Sequence, residues 1–203
     1  MNETFERLSE LFMRFPGIGP RQAKRFVFFL LHSNDTYRNE LVKLITDLSR
    51  SVKQCSECYR FYAHRVEGTQ TVCELCKMRA SDTLIICEKD VDVESLEKAG
   101  AYAGKYFVLG GLVSILEKEP EKKIRQKELL QKIGGTKELK EIIIALSANT
   151  DGDNTFSYLQ KLLSPLAEKH NIKITHLGRG LSTGTEIEYS DSDTIRNALQ
   201  NRS

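Results

Sequence analysis

Four of the five cysteines occur as two CxxC pairs, Cys55-Ser-Glu-Cys58 and Cys73-Glu-Leu-Cys76, with fourteen residues between the pairs. Two such pairs offer four thiolates to one tetrahedral ion, and four sulfur ligands leave no position for a catalytic water. The spacing therefore predicts one structural zinc ion. Two alternatives are four reduced cysteines packed as small apolar residues, or a redox site, which would need only one CxxC pair. Cys87 lies in an apolar run and is predicted to be buried in the core.

A second motif covers residues 15–23, Phe-Pro-Gly-Ile-Gly-Pro-Arg-Gln-Ala, and has the form of a helix-hairpin-helix DNA-binding element. Gly17 and Gly19 would let the backbone turn tightly and bring its N–H groups close to a phosphate. The following helix is predicted to carry its basic residues on one face, and these are Arg21, Lys24 and Arg25. The two arginines, one turn apart, could hold adjacent phosphates without reading base sequence. The alternative is an ordinary turn followed by a solvated basic face.

A third set of residues is acidic and follows predicted strands. Glu88 comes directly after one strand, with Asp92 shortly beyond it, and Asp151 and Asp153 follow a later strand. Ligands of open α/β sheets gather outside the carboxyl ends of the strands, so these acids could converge on a hard cation such as Mg²⁺. This arrangement resembles a Toprim domain, the metal-binding module of topoisomerases and primases. The same residues could instead cap helices or form an interaction surface.

The pattern of apolar residues predicts two kinds of region. Helical spacing predicts helices over 4–14, from Pro20 to about residue 31, and over 39–52. The second helix is apolar nearly all round, which indicates a further packing partner such as another subunit. From Ser81 onward, four short apolar runs alternate with helical stretches, which predicts a parallel sheet. The predicted strands are 84–87, 106–109, 142–146 and 172–175; the predicted helices are 92–99, 125–133, 154–169 and 192–201.

These elements predict an α/β fold in four parts. A small helical helix-hairpin-helix module occupies residues 1–53, and a four-cysteine zinc knuckle occupies 54–80. A Toprim-like domain with a parallel sheet follows over 81–180, and a C-terminal segment with one helix, over 181–203, completes the chain. The glycine-rich stretch 178–184 matches neither a Walker A motif nor a dinucleotide fingerprint and is predicted to be a turn.

Composition narrows the function classes only slightly. The formal net charge is +2, but residues 1–80 carry 13 Lys and Arg against 9 Asp and Glu. A polyanion such as DNA is therefore expected to contact the first part of the chain. No apolar run of 18 residues is present, so no membrane partner is predicted. The first seven residues lack the layout of a secretory signal, and a cytoplasmic location is expected.

The order of a hairpin, two CxxC pairs and a Toprim-like sheet resembles the RecR family of recombination mediators over essentially the whole chain. Further similar stretches are Tyr-Phe-Val-Leu-Gly-Gly at 106–111 and Gly-Arg-Gly-Leu-Ser-Thr-Gly at 178–184. The resemblance implies a non-enzymatic protein of DNA repair that works with RecO, and in other settings RecF, to load recombinase onto single-stranded DNA covered by SSB. It also implies dimers or ring-like tetramers that encircle DNA, with the N-terminal region and the C-terminal oligomerisation segment at 181–203 as the contacts between copies.

Individual roles follow from the resemblance by position. Arg21 and Arg25 match the basic residues that contact DNA, and the four paired cysteines match the zinc ligands. The four acids of the third set match Toprim positions that serve mainly in contacting RecO. Two stretches depart from the family: Asp151-Gly-Asp-Asn-Thr replaces Glu-Gly-Glu-Ala-Thr, and Ser114-Ile-Leu-Glu-Lys-Glu-Pro lacks the glycines usual there. The competing hypothesis is a Mg²⁺-dependent Toprim enzyme, primase-like or a nuclease, with Glu88, Asp151 and Asp153 as metal ligands.

Overall fold

A computed structural model gives the structure of the protein and describes residues 2–63, 70–136 and 138–201. The chain forms two compact units. The described residues of the first are 2–53 and Ala63, and those of the second are the remainder, beginning at Gln54. Within the described ranges, no helix is both long enough and apolar enough to cross a membrane.

The first unit consists of three helices: α1 (Glu3–Met13), α2 (Pro20–His32) and α3 (Asp35–Ser51). Phe5 of α1 is buried, and its ring packs edge-on against the ring of Phe28 at 5.1 Å. The third helix begins four residues before its predicted start. Asn34 explains the difference, because its side chain accepts a hydrogen bond from the backbone N–H of Tyr37 and so caps the first turn.

Much of the apolar surface of this unit is exposed. No described residue of α3 is buried, and a groove of about 1040 Å³ is lined by residues of α1, α2 and α3. The exposed large apolar side chains of α2 and α3 are Phe28, Phe29, Leu31, Tyr37, Val42, Leu44, Ile45 and Leu48. A monomeric protein rarely leaves so much apolar surface in water. This exposure agrees with the additional packing partner that the sequence predicts for α2. The partner itself remains a prediction.

The second unit is built on a four-stranded parallel sheet with strand order β4-β3-β5-β6. Its strands are β3 (Thr83–Cys87), β4 (Lys105–Val108), β5 (Glu141–Ala145) and β6 (Lys173–His176). The predicted parallel α/β sheet is confirmed. The β-branched and aromatic runs form strands here because both faces of the sheet are covered, and most residues of β3 and β4 are buried. The short strands β1 (Val52–Gln54) and β2 (Phe61–Ala63) precede the sheet, and the sequence pattern did not predict them.

Alternate residues of β3 point to two separate cores. Leu84 and Ile86 pack with residues of the helices on one face, whereas Ile85 and Cys87 pack on the other face with the cysteine-bearing segment. The helices of this unit are α4 (Glu74–Met78), α5 (Asp90–Ala99), α6 (Gln126–Gly135), α7 (Thr150–His170) and α8 (Ser192–Gln200). Short 3₁₀ turns occur at Pro120–Lys122 and Ile187–Tyr189. The C-terminal helix is present as predicted.

Candidate functional site

The first CxxC pair lies in a tight turn between β1 and β2. The backbone N–H of Cys55 donates to the carbonyl oxygen of Arg60 at 2.9 Å, and the N–H of Tyr59 donates to that of Cys55 at 2.9 Å. Tyr59 adopts a left-handed backbone conformation with φ of 62°, which turns the chain back on itself. In the second pair, Cys73 is the N-cap residue of α4 and Cys76 lies within that helix.

The four sulfur atoms form one compact group. They all lie within 4.8 Å of one another, with 3.9 Å between the Sγ atoms of Cys55 and Cys76 and 3.7 Å between those of Cys58 and Cys73. A tetrahedral zinc ion with Zn–S bonds of about 2.3 Å requires sulfur separations of about 3.8 Å. Among the residues that the structure describes, this is the one group of three or more ligand side chains placed to share an ion.

The polar surroundings favour the thiolate form of Cys55. Its Sγ atom accepts hydrogen bonds from the backbone N–H groups of Glu57 at 3.4 Å and Cys73 at 3.3 Å. Hydrogen bonds from the thiols of Cys58, Cys73 and Cys76 hold the pKa of Cys55 well below its ordinary value. Because a metal ion binds the thiolate and not the thiol, these donors prepare the group for a metal. The four residues therefore fit a structural metal ion such as zinc, which would supply rigidity.

The fifth cysteine is separate from this group. Cys87 ends β3 and is fully buried, as predicted. Burial, with a smaller contribution from the charge of Asp92, raises the pKa of the Cys87 thiol to about 12. A thiol that stays protonated at neutral pH is a poor nucleophile and a poor metal ligand.

The cysteine-bearing turn shares a core with the sheet. Cys55 and Cys58 of this turn, and Cys73 of the second pair, are buried together with Tyr106 and with Ile85 and Cys87 of β3. The backbone N–H of Val108 in β4 donates to the carbonyl oxygen of Cys58 at 2.8 Å. On the other side, Lys132 of α6 pairs with Glu57 at 2.8 Å. The metal-binding turn is thus attached to an edge strand and to a helix of the second unit.

The hairpin at residues 15–23 contains the backbone turn that its glycines predicted. Gly17 has a φ of 74°, a conformation that strongly favours glycine. Gly19 differs: its φ is −87°, and a Cβ atom added there would meet nothing within 4 Å. Nothing in the described chain therefore requires glycine at position 19. A glycine in open space at the start of a helix leaves room for another molecule to approach the backbone closely.

The amino-terminal end of α2 carries unopposed positive charge. Pro20 occupies the first turn, no side chain of the described chain caps this end, and no acidic residue lies in the first turn. The N–H groups there and the helix dipole favour an anion. Arg21, Lys24 and Arg25 are all exposed on this helix, as the sequence predicted.

Glu88 is the most buried of the predicted acidic residues. It follows β3, and its side chain is 8% exposed. One oxygen accepts a hydrogen bond from Ser147 Oγ at 2.8 Å, and the other pairs with Lys89 Nζ at 2.8 Å. Ser147 follows β5, so this contact joins the carboxyl ends of two neighbouring strands.

Asp92 caps a helix. Its carboxylate accepts the backbone N–H of Lys89 at 2.8 Å and so closes the first turn of α5. The neighbouring Asp90 accepts the backbone N–H of Phe61 at 2.6 Å and ties the start of α5 to β2. For Asp92, the helix-cap alternative left open by the sequence is confirmed.

Asp151 and Asp153 lie in the first turn of α7. The sequence placed them in a loop with the helix starting at 154, and that boundary is wrong. Asn149 caps the helix by accepting the N–H of Gly152 at 2.8 Å, so α7 begins at Thr150. Gly152 is required at this point because a Cβ atom there would lie 1.8 Å from the carbonyl oxygen of Ser147.

The side chains of these two acids have different surroundings. Asp151 is exposed, whereas Asp153 forms an ion pair with Arg179, which lowers the pKa of the aspartate below its ordinary value. Within the described ranges, Glu88, Asp92, Asp151 and Asp153 do not form a group of three or more ligands in reach of one ion.

Sequence reasoning missed two arginines. Arg179 lies in the glycine-rich stretch that the sequence predicts to be a turn and that resembles the RecR family, with no role assigned to the arginine. Arg125 donates to the carbonyl oxygen of Val108 at 2.9 Å, and its guanidinium lies 5.7 Å from the centre of the Tyr59 ring. Both contacts join distant parts of the chain. The one signal available beforehand was the basic residue between two glycines at 178–180.

Comparison with known proteins tests the resemblance to the RecR family. A family model described as the Toprim domain matches residues 82–178, and one described as the C-terminal part of RecR matches residues 180–203. The recombination protein RecR of Cyanothece sp. is 34% identical over 198 residues, which cover 97% of this chain and 93% of that protein. The RecR proteins of Roseiflexus sp. (36% identity, 97% and 91% covered) and Staphylococcus saprophyticus (33%, 98% and 96%) are similarly close. The predicted resemblance is confirmed, and the chain belongs to the RecR family of recombination proteins.

Proposed function

We propose that this protein is a DNA repair and recombination mediator that binds DNA through the hairpin and α2. The observation that carries the proposal is the exposed basic side of α2 beside an uncapped helix end. Arg21, Lys24 and Arg25 neutralise phosphates, and Gly17 and Gly19 let a phosphate reach the backbone. Contacts to phosphates carry no sequence information, so binding is independent of sequence and sensitive to salt.

The active form is a homo-oligomer, a dimer or a tetrameric ring, that encircles DNA as a clamp. The apolar side chains left exposed on α2 and α3 support this part of the proposal, because contact between copies would remove them from water. The C-terminal segment provides a second contact between copies. The protein works in the cytoplasm with RecO-like and RecF-like partners to load recombinase onto single-stranded DNA covered by SSB.

The acidic residues Glu88, Asp92, Asp151 and Asp153 form the partner-contacting surface, with Glu88, whose side chain is 8% exposed, making the least direct contact. Asp151 is fully available for such a contact, and Asp153 is half-exposed. A zinc ion bound by the four paired cysteines is structural, and the protein has no catalytic turnover. Within the described residues these acids are not gathered within reach of one ion, which supports this view.

The test is DNA binding at several salt concentrations. Arg21→Ala with Arg25→Ala removes two phosphate contacts, so the slope of log affinity against log salt falls by about 1.4 for single-stranded DNA. Lys43→Ala with Arg50→Ala is the matched control, because it removes the same charge from exposed positions of α3. If the two double variants lose the same amount of DNA affinity and have the same salt dependence, only the net charge matters and the hairpin is not the binding site.

A second measurement tests the absence of catalysis. The purified protein is incubated with labelled DNA, Mg²⁺ and nucleotides, and strand cutting and extension are followed. We expect no product above the background of a sample that contains EDTA. Mg²⁺-dependent product that Asp151→Asn abolishes would establish the competing Toprim enzyme and overturn this part of the proposal.

A further inference from the structure

The C-terminal segment, whose described residues are 181–201, and the adjoining Gly180 have little apolar attachment to the rest of the unit. None of these residues is buried. A cavity of about 490 Å³ lies beside it, lined by Phe156 of α7, His176 of β6, Arg179 and Asn197 of α8, among others. Four of its large apolar side chains, Leu181, Ile187, Tyr189 and Leu199, are exposed, and Ile195 is half-buried. Polar contacts must therefore provide much of its attachment.

Arg179 is where these polar contacts meet. Its guanidinium pairs with the carboxylate of Asp153 in the first turn of α7. Its carbonyl oxygen accepts a hydrogen bond of 2.9 Å from the side-chain amide of Asn201, directly after α8. Where the segment begins, Gly180 lies close to Ala198, so α8 folds back over the same loop. One residue thus holds both ends of the segment and links them to α7.

The link between Arg179 and Asp153 is accessible from solvent. The aspartate side chain is 56% exposed and the arginine side chain 37%. Ion pairs at such positions are weak because water screens them. A cationic group of another molecule can therefore compete with Arg179 for Asp153 at little cost in free energy.

We propose that the Arg179–Asp153 pair is a latch that fastens the C-terminal segment to α7 and is opened by a cationic group that binds Asp153. A closed latch hides one acid of the partner-contacting surface and holds the segment in place. An open latch frees the segment, with its exposed apolar side chains, for a new contact. The opening step rests on the proposed partner role of Asp153, whereas the attachment of the segment does not.

Hydrogen exchange on the full chain tests the latch itself. Asp153→Asn and Arg179→Gln are each expected to speed exchange of the amides in residues 180–201 by about two- to fivefold, the range for an exposed ion pair. The reversed pair, Asp153→Arg with Arg179→Asp, should restore slow exchange. Arg196→Gln is the matched control, because that arginine pairs with Asp193 inside α8 and does not reach α7. Unchanged exchange in both single variants would overturn the latch.

Binding to a full-length RecO-like protein tests the opening step separately. Arg179→Gln leaves Asp153 free and should bind this partner more tightly than the parent, by about two- to fivefold. Asp153→Asn should bind it more weakly, although both variants release the segment. If both variants bind as the parent does while their exchange is faster, the latch stands and the partner role of Asp153 fails. If both variants bind more tightly, release of the segment and not exposure of Asp153 governs the contact, and the opening step is wrong.

Discussion

The backbone N–H of Val108 donates a hydrogen bond of 2.8 Å to the carbonyl oxygen of Cys58. Val108 ends β4, the strand at one edge of the parallel sheet, and Cys58 belongs to the metal-binding turn. An edge strand presents unpaired N–H and C=O groups that can pair with another chain. The turn therefore protects part of this edge, and the metal site contributes to the integrity of the sheet as well as to its own.

Loss of the metal should expose the β4 edge. Cys73→Ser removes one of four ligands, so we expect the variant to lose its equivalent of zinc and at least ~3 kcal/mol of stability. For a chain of this size that loss corresponds to roughly 6–12 °C in Tm. Hydrogen exchange should rise at residues 105–109, which a mass-spectrometric measurement can follow. Cys87→Ala is the control, because it removes a buried cysteine outside the metal group and should keep the zinc. A Cys73→Ser protein with a full equivalent of zinc would contradict the assignment.

The two hairpin glycines should respond differently to alanine. Gly17→Ala places a side chain at a φ of 74° and should cost ~1 kcal/mol of stability. Gly19→Ala meets open space at an ordinary φ, so its stability should stay within about 0.5 kcal/mol of the parent. Its DNA affinity should nevertheless fall roughly tenfold, about the effect of losing one hydrogen bond to a charged phosphate. Chemical denaturation and DNA titration of both variants provide the measurements. Unchanged DNA affinity in Gly19→Ala would mean that no phosphate approaches this backbone.

A second pair of glycines tests the packing at the start of α7. Gly152→Ala should destabilise the protein by ~2 kcal/mol, because its Cβ would lie 1.8 Å from the Ser147 carbonyl oxygen and the backbone must shift. Gly134→Ala, in α6, has nothing within 4 Å and should stabilise by up to ~1 kcal/mol through helix propensity. Urea denaturation measures both changes. A destabilising Gly134→Ala would show that α6 does not tolerate alanine there.

The stability of the protein should depend on Cys87 at high pH. The pKa of Cys87 in the folded state is about 12, above its ordinary value of 9.0. Between these two pH values the thiol is protonated in the folded chain and ionised in the unfolded chain. The stabilising effect is complete below about pH 9 and declines as pH rises toward 12, by ~1.4 kcal/mol per pH unit. The stability difference between the parent and Cys87→Ala should therefore shrink by ~2 kcal/mol between about pH 9 and about pH 10.5. Denaturation curves at both pH values measure this difference. A constant difference would show that the thiol titrates equally in both states.

The sequence predicted the sheet and the metal group well because both signals are local. The run Leu84-Ile-Ile-Cys87 carries enough β-branched and apolar residues to identify a strand without its neighbours. Likewise, each CxxC pair brings two thiols close together by its own spacing, and the second pair predicts where the other two ligands of one ion come from. Helix starts were harder to predict, since Asn34 and Asn149 act as caps only when the following backbone turns to meet their side chains.

Contacts between distant residues could not be predicted. Arg179 and Asp153 are both ordinary polar residues in polar stretches, and only the folded chain places β6 beside α7 and so brings them together. The hydrogen bond between Cys58 and Val108 could not be predicted either, because the two residues belong to different predicted segments, 54–80 and 81–180. Patterns within a segment reveal its own conformation, whereas its partners depend on the packing of the whole unit.

The strand order β4-β3-β5-β6 also bears on how the chain acquires its fold. The central strand β3 is synthesised before every strand that pairs with it, and its second edge is covered only when β5 arrives. Parallel pairing of this kind joins residues far apart in sequence and is intrinsically slow. During synthesis, the apolar segment of β3 is therefore an exposed, aggregation-prone stretch until residues 141–145 emerge from the ribosome.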